Sequence, residues 1–141
     1  MKVPSGGSRL PTTPETLARG LQHWKLQFSQ IGEWAVNRMA QCAIEVMKKA
    51  GVEATSVRHV VAHQASARIL RDVAERLSID FDRFVLTYPD HGNMSSASIP
   101  AALDVARRAR RFRHGDWILM PAVGAGMAWG ALMYRWWNGG V

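Results

Sequence analysis

Between Val57 and Leu77 the spacing of apolar positions changes once. Val57, Val60 and Val61 form a short β-branched run, which suits a buried strand. His63, Gln64 and Ser66 follow at once. Ile69, Val73 and Leu77 then recur every four residues beside Leu70 and Ala74, with Arg68, Arg71, Asp72, Glu75 and Arg76 between them. That pattern predicts an amphipathic helix. Ser66 is its candidate N-cap, because its hydroxyl can accept from a free N–H of the first turn. His63 is thereby placed at the carboxyl end of a strand and just before a helix, where ligands tend to bind in α/β sheets.

The same reading extends along the chain. Residues 1–14 are rich in Pro, Gly, Ser and Thr and read as loop. Glu15 to Phe28 is ambiguous: Leu17, Leu21 and Trp24 could line a helix, but LQHWKLQF could also be a short strand. Gly32 to Ala50 is the clearest long helix, with Trp34, Met39, Ala43, Val46 and Met47 on one side. Lys48 and Lys49 suit its negative C-terminal end, and Gly51 stops it. Phe84 to Thr87 reads as a second strand, and YPDHGNMSSAS after it as turn and cap chemistry. A helix is expected from about Ser95 to Arg111, with Pro100 tolerated near its start. Trp117 to Ala122 and Ala128 to Trp136 read as third and fourth strands around a glycine-rich bend. Alternating strands and helices predict an α/β fold with parallel early strands, and the last two strands should be antiparallel.

Composition narrows this picture. For 141 residues, 48% hydrophobic and 21% charged, one globular domain is the natural reading. Six tryptophans are many, and Trp129, Trp136 and Trp137 crowd the C-terminus, which hints at apolar surface that something else covers. The net charge of +7 admits nucleic acid, a membrane surface or an acidic protein as partner. The densest basic cluster, Arg107, Arg108, Arg110, Arg111 and Arg113, reads by default as a solvated face. It lacks the interleaved aromatic residues of a nucleic-acid motif, so no nucleic-acid partner is expected. No apolar run reaches the length of a membrane span. The first residues lack the apolar core of a signal peptide. The lone Cys42 excludes an internal disulfide and suits a reducing compartment, so a cytoplasmic location follows by default. Mid-helix among apolar neighbours, Cys42 reads as core filler and not as a nucleophile.

Three polar or glycine-rich points fall at strand ends: His63, Asn93 and the bend Gly124–Ala125–Gly126. A neutral imidazole offers one N–H donor and an Asn carboxamide two. Aimed at one thioester carbonyl oxygen, they would stabilise an enolate or a tetrahedral oxyanion. Small residues in the bend would let backbone N–H groups approach a ligand. Aspartate at 93 could not serve, having no donor at neutral pH. His23, His59, His91 and His114 show no metal-ligand spacing, and no metal is expected.

The wording of HQASARI, HGNMSSASIPAALD and GDWILMPAVGAGMAWGALMYRW resembles the C-terminal half of the 3-oxoacyl-acyl-carrier-protein synthase III family, within the thiolase-like condensing enzymes. PSGGSRLP is similar to the linker before that half. The resemblance runs from about Pro4 to Trp136. It implies half of a thiolase-like fold, a mixed sheet of four to five strands with helices packed on it. Residues 1–31 would be linker and N-terminal remnant, and 32–138 the C-terminal-like domain.

The resemblance also implies roles. His63 and Asn93 would match the catalytic pair that binds the malonyl thioester carbonyl and stabilises the carbanion formed on decarboxylation. The N–H of Ala125, between Gly124 and Gly126, would match part of a second oxyanion hole, facing the acyl-cysteine thioester. Arg68 would match a residue that docks acidic acyl carrier protein. Substrates would be an acyl-CoA and malonyl-carrier-protein or malonyl-CoA, with no cofactor. Ser66 stands where the family usually shows asparagine. The family's acyl-accepting cysteine lies in an N-terminal half that this sequence does not include, and Cys42 does not match it. The chain would then need an N-terminal thiolase-like half or a homologous subunit as partner, and alone would be inactive. The alternative is a non-catalytic module that binds an acidic carrier protein or a homologous subunit.

Overall fold

In the computed structural model, residues 2–25 and 28–138 are described, and the chain divides into two units, residues 1–31 and 32–141. In the first unit, Lys2 and Lys25 pair as an antiparallel bridge, and Pro14–Ala18 forms a short helix, α1. Thr13 and Thr16 cap α1 reciprocally, and Pro14 opens it where its missing N–H costs nothing. Of the alternative strand LQHWKLQF, Leu26 and Gln27 lie outside the described residues.

The second unit is built on a three-stranded mixed sheet. β1, Val57–Val60, lies parallel to β2, Trp117–Gly124, and β3, Ala128–Arg135, returns antiparallel along β2. On one face, Val57, Val60 and Leu119 pack with Met39, Ala43 and Met47 of α2, Phe28–Ala50, and with Leu70, Val73 and Leu77 of α3, Ala67–Leu77. On the other, Val61, Ile118 and Met120 pack with Ala102 and Ala106 of α5, Ser98–Arg108. The sheet is thus the middle of three layers, the α/β arrangement that the alternating pattern implies.

Local chemistry sets the boundaries. Ser66 Oγ accepts from the Ile69 N–H at 3.2 Å, so the N-cap reading of that residue holds. Gly51 takes φ +64° after α2, and the Val52 N–H returns to the Met47 carbonyl at 3.0 Å. Cys42 is buried, its thiol donates to the Met39 carbonyl, and burial pushes its pKa up. That is the environment of core filler and not of an activated thiolate.

Two expectations need correction. Among the described residues the sheet has three strands, not about four to five, because Phe84–Thr87 is not a strand. Phe84 makes one parallel bridge to Val60, and the Val85 N–H reaches the Val60 carbonyl at 2.9 Å. Beyond that rung, the Val85 carbonyl and the Thr87 N–H bond to the side chain of Gln64 instead of a neighbouring backbone. A side chain has satisfied the groups that would have extended the ladder. The helix expected over Ser95–Arg111 is likewise shorter. Ser95–Ala97 is a 3-10 turn, α5 begins at Ser98 with Pro100 in its first turn, and it ends at Arg108.

Candidate active site

Pro121 sets how His63 is presented. The Val61 N–H donates to the Leu119 carbonyl at 2.8 Å and the His63 N–H to the Pro121 carbonyl at 3.0 Å. In a parallel ladder the accepting residue normally donates back on the same side, but proline has no N–H. Regular pairing stops at Val60, and the chain passes through His63 towards α3 while still tethered to β2.

Asn93 arrives by a different route. α4, Tyr88–His91, closes on Gly92, whose N–H returns to the Tyr88 carbonyl at 2.9 Å. Gly92 has φ +65° and ψ −153°, a region open essentially to glycine alone. Asn93 follows, and its Oδ1 accepts from the Ser95 N–H at 2.9 Å. His63 Nδ1 meets the other side of the same residue, 3.2 Å from the Ser95 carbonyl. The imidazole and the carboxamide are therefore joined through one residue, Ser95, itself held at φ +53°.

These contacts decide which atoms remain for chemistry. With Oδ1 engaged, the Asn93 carboxamide keeps its two N–H donors for another acceptor. For His63 the result differs from the sequence expectation. A carbonyl oxygen only accepts, so the Ser95 contact puts the ring proton on Nδ1. The neutral ring in that tautomer leaves Nε2 as an acceptor, not a donor. Burial holds the His63 pKa below the ordinary histidine value, against the opposing pull of the Ser95 carbonyl.

The bend lies on the same rim of the sheet, further along β2. Gly124 closes the β2–β3 ladder against Ala128, and Ala125, Gly126 and Met127 turn between them, with Gly126 at φ +122°. The structure thus joins His63 to Asn93 through Ser95 and places the bend at the same end of the sheet. Arg68 is on the first turn of α3, its side chain 91% exposed and loosely paired with Asp72 at 3.8 Å. In the basic cluster, Arg107 and Arg108 both bond Asp104, whose pKa these arginines lower.

Two contributors were not singled out from the sequence. Ser95 carries no signal, since a serine at positive φ is uncommon. Gln64 carries one: a long amide next to an apolar run must find partners once buried. It is 1% exposed and makes three hydrogen bonds. His59, set aside for lack of metal spacing, is a partly buried ring with Nε2 3.4 Å from Asp116 Oδ2. Its Nδ1 has no hydrogen-bond partner among the described residues. Burial lowers the His59 pKa, outweighing Asp116, and Arg111 and Arg58 add to the lowering.

A pH dependence follows. His59 and His63 both have folded-state pKa values below their unfolded value, near 6.5. Below about pH 6.5 the unfolded chain binds more protons than the folded one, so stability falls with falling pH. Above that point both rings are neutral in either state and their contribution is flat. Urea midpoints measured between pH 7.5 and 5 should be level at first and then decline; a constant midpoint throughout would contradict the partial burial of the two rings.

The chain is similar to known proteins in both sequence and fold. A family profile described as 3-Oxoacyl-[acyl-carrier-protein (ACP)] synthase III C terminal matches residues 47–136. The beta-ketoacyl-[acyl-carrier-protein] synthase III of Symbiobacterium thermophilum is 40% identical over 95% of the chain, and that of Clostridioides difficile 36% over 96%. The chain spans 41% and 42% of the length of those two relatives. The crystal structure of 3-oxoacyl-(acyl carrier protein) synthase III from Pseudomonas aeruginosa superposes with a TM-score of 0.81 at 30% identity, over 89% of this chain and 39% of that one. The Aquifex aeolicus synthase III structure gives 0.79 at 36% identity, over 82% and 37%.

Proposed function

The chain belongs to the 3-oxoacyl-acyl-carrier-protein synthase III family, of which it carries the C-terminal domain, and from that membership we propose that it is the decarboxylating half of an acyltransferase. The reaction is a decarboxylative Claisen condensation between an acyl thioester and a malonyl thioester. The observation that carries this reading is the joining of His63 and Asn93 through Ser95. As the malonyl carboxylate leaves as CO2, its bonding electrons become an enolate whose oxygen gathers negative charge. Asn93 Nδ2–H donates to that oxygen. His63 donates from Nε2, which requires the ring proton to leave Nδ1 and the Ser95 contact to be given up. That contact is worth about 1 kcal/mol, so the donating tautomer is a modest reorganisation.

The backbone N–H of Ala125, flanked by Gly124 and Gly126, faces the other thioester, the acyl-enzyme. Arg68 docks an acidic acyl carrier protein, consistent with its exposure. No cofactor is required; the substrates are an acyl-CoA and malonyl-carrier-protein or malonyl-CoA. The nucleophilic cysteine comes from a thiolase-like N-terminal half or a homologous subunit, because Cys42 is buried with a raised pKa. The uncovered apolar face of β3, where Leu132 is 57% and Tyr134 42% exposed, is in keeping with such a partner.

Co-expression with a cysteine-bearing N-terminal half tests the reading. The assembled pair should condense acetyl-CoA with a malonyl thioester, and this chain alone should not condense them. Its Cys42 should gain no acyl adduct by mass spectrometry. A stable pair that binds acyl carrier protein yet condenses nothing would favour the binding-module alternative.

A further inference from the structure

Gln64 follows His63 directly, and its side chain is 1% exposed. Its Nε2 donates to the Val85 carbonyl at 2.9 Å, and its Oε1 accepts from the N–H groups of Thr87 and Tyr88, each at 2.9 Å. All three contacts fall on residues 85–88, just ahead of Asn93. The two N–H groups stand at the start of α4, whose N-cap residue, Thr87, supplies no side-chain hydrogen bond. Gln64 therefore terminates that helix from a different element of the fold. α4 in turn delivers Gly92, whose glycine-only backbone angles aim Asn93. At the far end of the same segment, His63 Nδ1 meets the Ser95 carbonyl. Two consecutive residues at the end of β1 thus grip both ends of the stretch that bears Asn93.

We propose that Gln64 is a positioning residue that fixes Asn93 relative to His63. The assignment rests on the functional reading above for its purpose, but its geometry can be tested without turnover. Glutamine suits the position because it offers a donor and an acceptor from one planar group. Val85 presents a carbonyl and Thr87 and Tyr88 present N–H groups, so a side chain with acceptors only, or none, leaves buried backbone groups unmatched.

The test is nuclear magnetic resonance of the ¹⁵N-labelled full chain, reading the Asn93 side-chain amide and the titration of His63. In Gln64→Ala, the Asn93 amide resonances should move to the position of a free carboxamide. The His63 midpoint should rise towards the ordinary value near 6.5 as the loop leaves the ring. Val73→Ala, a buried substitution in α3, should lower the thermal midpoint without moving either signal. A folded Gln64→Ala with both signals unchanged overturns the proposal, as does a Val73→Ala that moves them equally. If Gln64→Ala does not fold, Gln64→Glu retains the two acceptor contacts and lacks the donor only while ionised. Its Asn93 signals should differ from the parent at neutral pH and return towards it on acidification, and signals that ignore that titration overturn the proposal. If the signals behave as stated while the assembled pair is inactive, the catalytic reading fails and the positioning role stands.

Discussion

Asn93→Ala, in this chain assembled with a cysteine-bearing N-terminal half, is expected to slow decarboxylation of a malonyl thioester by about 10²–10³-fold, the usual loss for one oxyanion donor. The carboxamide is committed at one end: Oδ1 takes the Ser95 N–H, which leaves Nδ2 to donate. Alanine removes the donor and the anchor together. Asn93→Asp separates them, because a carboxylate still accepts from Ser95 but donates nothing at neutral pH. It should therefore be impaired about as badly as alanine. His63→Ala should cost a comparable factor and should also release the Ser95 carbonyl. Release of labelled CO2 from malonyl thioester measures all three. An unchanged rate in a folded, assembled Asn93 variant would remove the residue from the mechanism.

How much of this was legible in the sequence differs from residue to residue. The β1–His63–α3 unit was readable because a β-branched run, a hydroxyl cap and a four-residue apolar period are all local signals, and each sits where its physics puts it. The antiparallel β2–β3 pair was readable for the same reason, from two apolar runs and a glycine bend. Phe84–Thr87 misled because β-branched and aromatic composition reports compatibility with a sheet, whereas a strand needs backbone partners. Those partners were taken by Gln64, twenty-one residues from Val85 in sequence, and nothing local announces that. The joining of His63 and Asn93 was partly readable, since both were read as strand-end residues, although a short helix and not a strand leads into Asn93. The intermediary was not, because Ser95 acts through its main chain, and a main-chain group is the same in every sequence.

The tautomer of His63 shows a further limit. Residue type gives an imidazole one donor and one acceptor, but which nitrogen holds the proton depends on what each faces. Ser95 claims Nδ1. The proposed pair is therefore asymmetric at rest: Asn93 is ready to donate, whereas His63 would have to shift its proton first.

The second large effect belongs to the core that holds this rim in place. Leu119→Ala is expected to cost about 2–5 kcal/mol, the range for truncating a buried leucine. Leu119 is fully buried in the middle of β2, packed among side chains from α2 and α3. Its carbonyl also receives the Val61 N–H, two residues before His63. Against a domain stability of about 5–15 kcal/mol, that loss leaves little reserve. Leu132→Ala is the contrast, since Leu132 lies opposite Met120 on β3 but is 57% exposed, and it should shift the chain's own stability by no more than about 0.5 kcal/mol. Urea unfolding of the two variants separates them. Equal losses would mean that the β3 face is covered after all in the free chain, and with it would go the argument that this surface is left for a partner.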